Sequence, residues 1–324
     1  MGLVASNSPP AICRPRGRGL ASNPSVSGGS VGGMEERAEP KLSAGELVSG
    51  LVVEELVGVG GFATVYRARR PGGAAYALKF IPLGYAVDRA LREFAILLKL
   101  RHRNLVQVKA MGLYPEEAPK FLWLQLGFVE GERLDRWAKV RNRGAREVAR
   151  RVLEVARGLA VTHAEGVLHR DVKASNILVR AEDGKPVLVD FGAGAYTGAP
   201  TLTTSVLPPG TPEYRSPEAW DFFRHHMGEE GMRYQPTPAD DLWAVGVQFY
   251  WMLTDRLPFT GRDFLAIGSA VLHERPVPPR ELNPWVPEAL ERVCLRMLEK
   301  APGARYADAR EVRRALSALR EGAD

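Results

Sequence analysis

The feature that most constrains this chain is a polar octapeptide, H-R-D-V-K-A-S-N, at residues 169–176. It lies between two short apolar segments at 167–168 and 177–179. Charged and amide side chains in such a place suit either a functional loop or a polar surface turn. The two interpretations can be separated by asking whether further motifs flank the octapeptide in a fixed order.

A glycine-rich segment precedes the octapeptide by about a hundred residues. An apolar stretch at 51–57 leads into it at 58–63, and Thr64, Val65 and Tyr66 follow. The pattern predicts a strand, a glycine-rich turn and a second strand. Glycines let backbone N–H groups approach a phosphate, although hairpins also use glycine freely. No strand-to-helix switch follows, which argues against a dinucleotide-binding fingerprint.

Two charged residues stand out on apolar segments after this turn. Lys79 interrupts the apolar run at 77–81, and a lysine in an apolar strand is costly unless it is paired or its head reaches water. Glu93 lies in a predicted amphipathic helix whose apolar side includes Phe94 and Leu97. Glu93 is either the partner of Lys79 or a solvated helix residue.

Further motifs follow the octapeptide in order. A predicted buried strand at 186–189 leads to D-F-G at 190–192. A stretch rich in Gly, Ala and Thr then ends at G-T-P-E-Y-R-S-P-E, residues 210–218. Beyond it lie D-L-W-A-V-G-V at 241–247, L-P-F-T-G at 257–261 and a late Arg305.

Together these motifs resemble those of eukaryotic-type Ser/Thr protein kinases, over residues 50–320. The arginine-rich composition resembles bacterial members, myxobacterial ones among them. The resemblance implies an α+β, two-lobed protein kinase fold, with a small antiparallel β-sheet lobe that carries the αC helix and a larger, mainly α-helical lobe. Within a kinase domain at 47–320, we expect the small lobe at 47–126, the hinge at 127–131 and the large lobe at 132–320. Apolar residues at helical spacing predict a long helix at 146–163, below the hinge.

The resemblance implies transfer of the γ-phosphoryl group of Mg-ATP to Ser or Thr hydroxyls of proteins, autophosphorylation included. Asp171 matches the catalytic base, and Lys173 matches the lysine that stabilises charge on the transferred group. Thr211 is implied to bridge to both, a feature of Ser/Thr kinases. Asp241 is implied to hold the octapeptide backbone, and Glu218 is implied to pair with Arg305.

The resemblance also implies sites for the two small ligands, ATP and Mg²⁺. Asn176 and Asp190 match the metal-binding positions, and Lys79, paired with Glu93, matches the lysine that holds the α- and β-phosphates. Leu126 matches the gatekeeper before the hinge. The implied nucleotide-binding residues are Val57, Gly58, Val59, Gly60, Gly61, Phe62, Ala63, Val65, Ala77, Lys79, Glu93, Gly127, Val129 and Leu178.

Two rival functions are open at this point: a pseudokinase scaffold that signals by binding alone, and a small-molecule kinase of the aminoglycoside type. Two features favour the scaffold: Ala63 replaces the third glycine of the family pattern, and the connection from Lys79 to Glu93 is short. The presence of all five polar residues of the kinase pattern argues against a scaffold; these are Lys79, Glu93, Asp171, Asn176 and Asp190. The intact motif at 210–218 argues against a small-molecule kinase.

Charge and composition narrow the partners and the location. The formal net charge is +6, and Arg14, Arg16 and Arg18 supply half of it, so the charge does not indicate binding to nucleic acid. We expect ATP and protein substrates as partners, and no nucleic acid. No apolar run reaches the roughly 18 residues of a membrane span. The two cysteines give no disulfide framework, which favours the cytoplasm.

The composition of the first residues differs from that of the rest of the chain. Residues 1–46 are rich in Gly, Ser, Pro and Ala, and we expect them to be a disordered tail. Met34 offers an alternative start, in which case the first 33 residues are a gene-model extension.

A second unusual segment, at 221–239, is longer than the usual link of the family. It contains His225 and His226 together with Glu229 and Glu230. A metal site is one hypothesis for this set, and an exposed polar loop is the favoured one.

Overall fold

The chain forms two lobes, a small one built on a β-sheet and a large one built mainly of helices. The structure is a computed structural model, and it describes residues 39–60, 63–84, 87–139, 144–196, 206–207 and 210–321. The expected α+β, two-lobed architecture is confirmed. Within the described ranges, no helix combines the length and the apolar character that crossing a bilayer requires.

The small lobe is a six-stranded antiparallel sheet with one helix against it. Its strands are ordered β1-β2-β3-β4-β6-β5. The elements are β1 (Leu47–Val48), β2 (Leu51–Val59), β3 (Thr64–Arg69), β4 (Ala75–Pro82), α1 (Val87–Lys99), β5 (Val108–Tyr114) and β6 (Phe121–Gly127).

The alternation of side chains along β4 decides where Lys79 points. Successive side chains of a strand face opposite sides of the sheet. Leu78 and Phe80 join an aromatic cluster on the outer face, whereas Ala77 and Ile81 join the main core on the inner face. Lys79 shares the inner face and is therefore directed towards α1 and the space between the lobes.

The outer face of the sheet is covered by the segment that enters β1. The Tyr66 hydroxyl donates to the Pro40 carbonyl at 2.6 Å, and the Tyr114 hydroxyl donates to Oε1 of Glu46 at 2.6 Å. Val48 is buried there, with 3% of its surface exposed. These contacts make residues 40–48 part of the folded lobe.

The expected end of the tail at residue 46 is therefore wrong for residues 40–46. Composition could not reveal this, because the partners of the segment are tyrosine hydroxyls that the sheet presents. Residues 1–38, with Met34 and Cys13, lie outside the described residues.

The large lobe surrounds two long helices. Its helices are α2 (Leu134–Lys139), α3 (Ala145–Ala164), α4 (Pro217–His226), α5 (Pro238–Thr254), α6 (Phe264–His273), α7 (Pro279–Leu282), α8 (Glu288–Met297) and α9 (Ala309–Glu321). Its short strands are β7 (Gly131–Arg133), β8 (Val167–Leu168), β9 (Ile177–Arg180), β10 (Pro186–Leu188) and β11 (Ala195–Tyr196). The octapeptide lies between β8 and β9, so two strands hold its ends.

One buried apolar cluster joins the lobes, from Val65 and Ile96 through Leu188 to Trp243 of α5. The long helix predicted below the hinge is confirmed as α3, whose apolar positions face this cluster. Leu105 makes an isolated bridge to Leu188, and regular pairing begins at Val108.

Candidate active site

A buried lysine and two carboxyl groups meet at the back of the cleft between the lobes. Lys79 pairs across the sheet with Leu124 of β6, and α1 brings Glu93, only 2% exposed, behind it. Nζ of Lys79 donates to Oε1 and Oε2 of Glu93 at 2.8 and 2.7 Å and to Oδ1 of Asp190 at 2.8 Å. The predicted pair of Lys79 and Glu93 is confirmed, and the strand lysine has the partners that its burial requires.

The charges in this cluster depend on one another. Burial lowers the pKa of Lys79, but the carboxylates of Asp190 and Glu93 together raise it well above its ordinary value. Burial opposes ionisation of Asp190, yet Lys79 lowers the pKa of that carboxyl to about 2. Two carboxyl groups face one ammonium group, which favours the approach of a further cation.

The octapeptide is held in place by Asp241 of α5. Oδ2 accepts a hydrogen bond from the His169 amide at 2.9 Å, and Oδ1 accepts one from the Arg170 amide at 2.8 Å. Nε2 of His163 lies 2.9 Å from Oδ2. Arg170 has a φ of 64°, a left-handed backbone that a non-glycine residue keeps only where its surroundings enforce it. The predicted role of Asp241 in holding this backbone is confirmed.

The side chains of the octapeptide form a connected polar group. Nζ of Lys173 lies 2.8 Å from Oδ2 of Asp171 and donates to Oγ1 of Thr211 at 3.3 Å. Nδ2 of Asn176 donates to the same Oδ2 of Asp171 at 2.9 Å. The Asp171 carboxylate is thus fixed in orientation, as a general base must be. Thr211 contacts Lys173 directly, and its connection to Asp171 runs through that lysine.

Two oxygen atoms beside this group fit a divalent cation. The Asn176 carbonyl accepts a hydrogen bond from the Val189 amide at 2.9 Å, which brings Asn176 next to Asp190. Oδ1 of Asn176 is buried and accepts no hydrogen bond from the described residues. Carboxylate and amide oxygens are the ligands that Mg²⁺ prefers. The residues present therefore fit a magnesium ion.

The tripeptide at 190–192 keeps Asp190 directed at the cleft. Phe191 is fully buried and packs on His169, with 4.6 Å between ring centroids. A Cβ atom on Gly192 would lie 3.2 Å from Oδ1 of Asp190 and 3.4 Å from Oε2 of Glu93. Glycine at this position leaves room beside the two carboxyl groups.

The cleft in front of the cluster encloses about 580 Å³, its open mouth included. Its walls are mostly apolar and come from both lobes, and its polar end is the lysine and the two carboxyl groups. The lining residues are Gly60, Ala63, Val65, Ala77, Lys79, Glu93, Val106, Leu126, Gly127, Val129, Leu178, Val189 and Asp190. Apolar walls with a few convergent polar groups suit a flat base that carries a charged tail.

Comparison with known protein families decides the family. The family model described as "Protein kinase domain" matches residues 51–315. The chain belongs to the protein kinase family. The match includes the cleft, the octapeptide and the anchoring helix α5.

Named bacterial kinases are similar to this chain over most of its length. It is 32% identical over 292 residues to "Serine/threonine-protein kinase PkaA" of Streptomyces coelicolor, and the aligned region covers 84% of this chain and 50% of that protein. It is 32% identical over 287 residues to "Serine/threonine-protein kinase pkn3" of Myxococcus xanthus, with 82% and 49% covered. The chain spans about half the length of the curated relatives it matches.

Most of the residues that we expected around the nucleotide lie in this kinase cleft. Ala63, the replacement for a glycine, is among its lining residues. Of the described residues we expected there, Val57, Gly58 and Val59 do not line it, since they lie on β2 before the turn. Gly61 and Phe62 lie outside the described residues.

The segment predicted as the hinge lies beside the cleft. The Gly127 amide donates to the Gln107 carbonyl at 2.8 Å, which ties the end of β6 to the chain before β5. Gly127 and Val129 both line the cleft beside Leu126. Adenine binding by the backbone of Gly127 and Val129 stays a prediction.

Sequence reasoning missed two residues of the cleft, Val106 and Val189. Val189 directly precedes Asp190, and Val106 lies two residues after the buried Asn104. Their apolar character was visible in the sequence. Their place in the cleft depends on a contact between distant segments, in which the Val106 amide donates to the Leu188 carbonyl at 2.9 Å.

The large lobe carries the expected ion pair behind the motif at 210–218. Nη1 and Nη2 of Arg305 donate to Oε1 and Oε2 of Glu218 at 2.9 and 2.7 Å. The guanidinium group also lies over the Trp243 ring, 4.9 Å from its centroid. The predicted pair is confirmed, and it ties the start of α4 to the chain before α9.

The segment at 221–239 is only in part the exposed loop that we expected, with residues 227–232 exposed outside any helix. Its first residues continue α4 to His226, and apolar rings there pack together, with Phe223 5.4 Å from Phe264 of α6. His225 pairs with Asp221, whereas His226 pairs with Glu229. The two imidazoles therefore do not converge on one metal site.

Proposed function

We propose that this chain is an ATP-dependent serine/threonine protein kinase. The observation that carries the proposal is the contact of Lys79 with both Glu93 and Asp190 in the wall of an open cleft. An ammonium group held by two carboxyl groups suits the phosphates of a nucleotide. The names of the bacterial relatives support the same activity.

In this proposal Asp171 is the base. It accepts the proton of a substrate hydroxyl while the hydroxyl oxygen bonds to the γ-phosphorus of ATP. The bond between that phosphorus and the β,γ-bridging oxygen breaks, and ADP leaves. Lys173 neutralises charge on the transferred group from its place between Asp171 and Thr211.

Asn176 and Asp190 are the proposed ligands of Mg²⁺. When bound, this ion neutralises the phosphate charges and orients them. The buried Oδ1 of Asn176 and the low pKa of Asp190 support the assignment, because both supply oxygen atoms that are ready to bind a cation. Lys79 keeps the Asp190 carboxylate directed at the cleft.

Protein hydroxyls are the proposed acceptors, including those of the chain itself. Thr203, Thr204 and Ser205 are candidate autophosphorylation sites, and they lie outside the described residues. Arg170, beside the catalytic base, is the proposed partner of such a phosphate. We also propose a cytoplasmic location, which the need for ATP favours.

The substitution Asp171→Asn tests the assignment of the base. It keeps the size of the side chain and removes the proton acceptor, so turnover with Mg-ATP and a protein substrate should fall about a hundredfold or more. ATP affinity should stay close to that of the wild type. Unchanged turnover in the variant would show that Asp171 is not the base, and absence of turnover in the wild type would favour the scaffold.

A further inference from the structure

Tyr234 is the residue through which the segment at 221–239 returns to the active site. Its ring packs on Phe222 of α4, with 5.6 Å between centroids. Its hydroxyl donates to Asp240 at the start of α5, 2.9 Å from Oδ1 and 3.1 Å from Oδ2. Its amide donates to the Val206 carbonyl at 2.9 Å.

Asp240 connects this tyrosine to the motif at 210–218. Oγ of Ser216 donates to Oδ1 of Asp240 at 2.5 Å, and the Thr237 amide donates to Oδ2 at 2.7 Å. Burial raises the pKa of Asp240, and the Ser216, Thr237 and Tyr234 donors oppose this rise. A buried carboxyl group depends on such donors, so losing one of them weakens the whole group.

Thr211 lies between the two points that Tyr234 holds. One is Val206, bonded by the tyrosine amide, and the other is Ser216, reached through Asp240. Between them, regular structure in the described residues is a single 3₁₀ turn at Pro212–Tyr214. The position of Thr211 therefore depends on how the two ends are held, together with the Lys173 contact and the bond from the Tyr214 hydroxyl to Gln248.

The same residues share a cavity with the catalytic loop. It encloses about 470 Å³, and Asp171, Thr211, Ser216, Tyr234 and Asp240 are among its lining residues. Movement of the tyrosine changes the wall that also carries the proposed base and its neighbour.

We propose that Tyr234 is a positioning residue for the protein substrate: it holds both ends of the segment that presents Thr211 beside Asp171 and Lys173. The inference rests on the proposed function, and it assigns a role to the long segment at 221–239. Among the described residues, the contacts of Tyr234 include none of those proposed to bind ATP. Its effect should therefore fall on the protein substrate rather than on the nucleotide.

The test compares Tyr234→Phe with Tyr250→Phe in the full chain. Each substitution removes one hydroxyl group that donates a hydrogen bond. Tyr250 serves as the control because its hydroxyl donates to the Val277 carbonyl, at 2.7 Å, and not to the group around Asp240. Steady-state kinetics with Mg-ATP and a phosphorylatable protein give both KM values. Tyr234→Phe should raise KM for the protein about tenfold and leave KM for ATP within about twofold, whereas Tyr250→Phe should change neither.

Hydrogen exchange read by mass spectrometry gives a second result that needs no turnover. In the nucleotide-free chain, amide protection at 210–216 should fall in Tyr234→Phe and be kept in Tyr250→Phe. An unchanged KM for the protein, a parallel rise of both KM values, or unchanged protection would overturn the inference. If the wild type is inactive, the proposed function fails by itself, and the exchange data still decide whether Tyr234 holds this segment.

Discussion

Lys79 has the partners that a lysine on an apolar strand requires. Glu93 and Asp190 both contact its Nζ, and in return Lys79 holds the pKa of Asp190 at about 2. The stabilisation that the ionised Asp190 carboxylate contributes to the fold is thus fully present above its ordinary pKa of about 4. It is lost as the pH falls towards 2. One side chain accounts for the ionisation of the proposed metal ligand.

Lys79→Met tests this dependence. The variant leaves two buried carboxyl groups without a cation, so their pKa values rise and their ionised forms destabilise the fold. The loss of thermal stability relative to the wild type should therefore be larger at pH 7.5 than at pH 5.5, because protonation relieves the repulsion. Melting curves at both pH values measure it, and an equal loss at both would contradict the account.

At the scale of residues, the sequence was sufficient where a motif is a short continuous string. Asp171, Asn176 and Asp190 were predicted in this way, and their roles stay predictions. The pairs Lys79–Glu93 and Glu218–Arg305, which the resemblance implied, are confirmed. Val106 and Tyr234 could not be found, because their roles arise from contacts with residues far away in sequence. Tyr234, for example, meets Val206 only after α4 has reversed the chain.

Among the elements, β3 is linked to the hinge by Arg67. Its guanidinium group contacts Glu54 of β2 and Glu130 at the end of the hinge, each at 2.7 Å, and lies 4.7 Å from the centroid of Phe128. Arg67 therefore connects the strands around the glycine-rich turn to the segment beside the cleft.

The variants Arg67→Met and Arg69→Met form a matched pair. Arg69 also contacts Glu54 at 2.7 Å, but its described contacts include neither Glu130 nor Phe128. Because the Arg67 pair is partly exposed, we expect a moderate effect, a rise of about threefold to tenfold in KM for ATP. Arg69→Met should leave this KM unchanged. Equal effects in the two variants would show that the contact with Glu130 has no role in nucleotide binding.

Elements with a strong pattern were predicted well, and their ends less so. The strands around the glycine-rich turn and the helix α3 follow alternation and helical spacing closely. The extension of α4 to His226 was missed, because Phe222 and Phe223 find their apolar partners on α6 and on the returning chain rather than nearby.

The whole molecule has a folded region that begins before the family match at residue 51. Residues 40–48 pack on the outer face of the sheet, where Tyr66 and Tyr114 bond them. The tail boundary predicted from composition was too late for this reason. Fold class, lobe order and the position of the cleft were predictable because the motifs follow one another in a fixed order along the chain.

A comparison of variants that start at residue 39 and at residue 50 tests this boundary. The shorter one loses the burial of Val48, worth about 1.5–3 kcal/mol, and exposes the outer face of the sheet. Its melting temperature should be lower, and Tyr66→Phe in the longer variant should give a smaller decrease. Equal melting temperatures would show that residues 39–49 add nothing to the stability of the lobe.

The most direct test of the central claim is to follow the γ-phosphoryl group itself. The purified chain is incubated with Mg²⁺, ATP radiolabelled at the γ-phosphate and a protein substrate, and the labelled protein is hydrolysed for phosphoamino-acid analysis. The account predicts label on phosphoserine or phosphothreonine with the wild type and almost none with Asp171→Asn. ATP binding without label on any protein, or label on a small molecule alone, would contradict it.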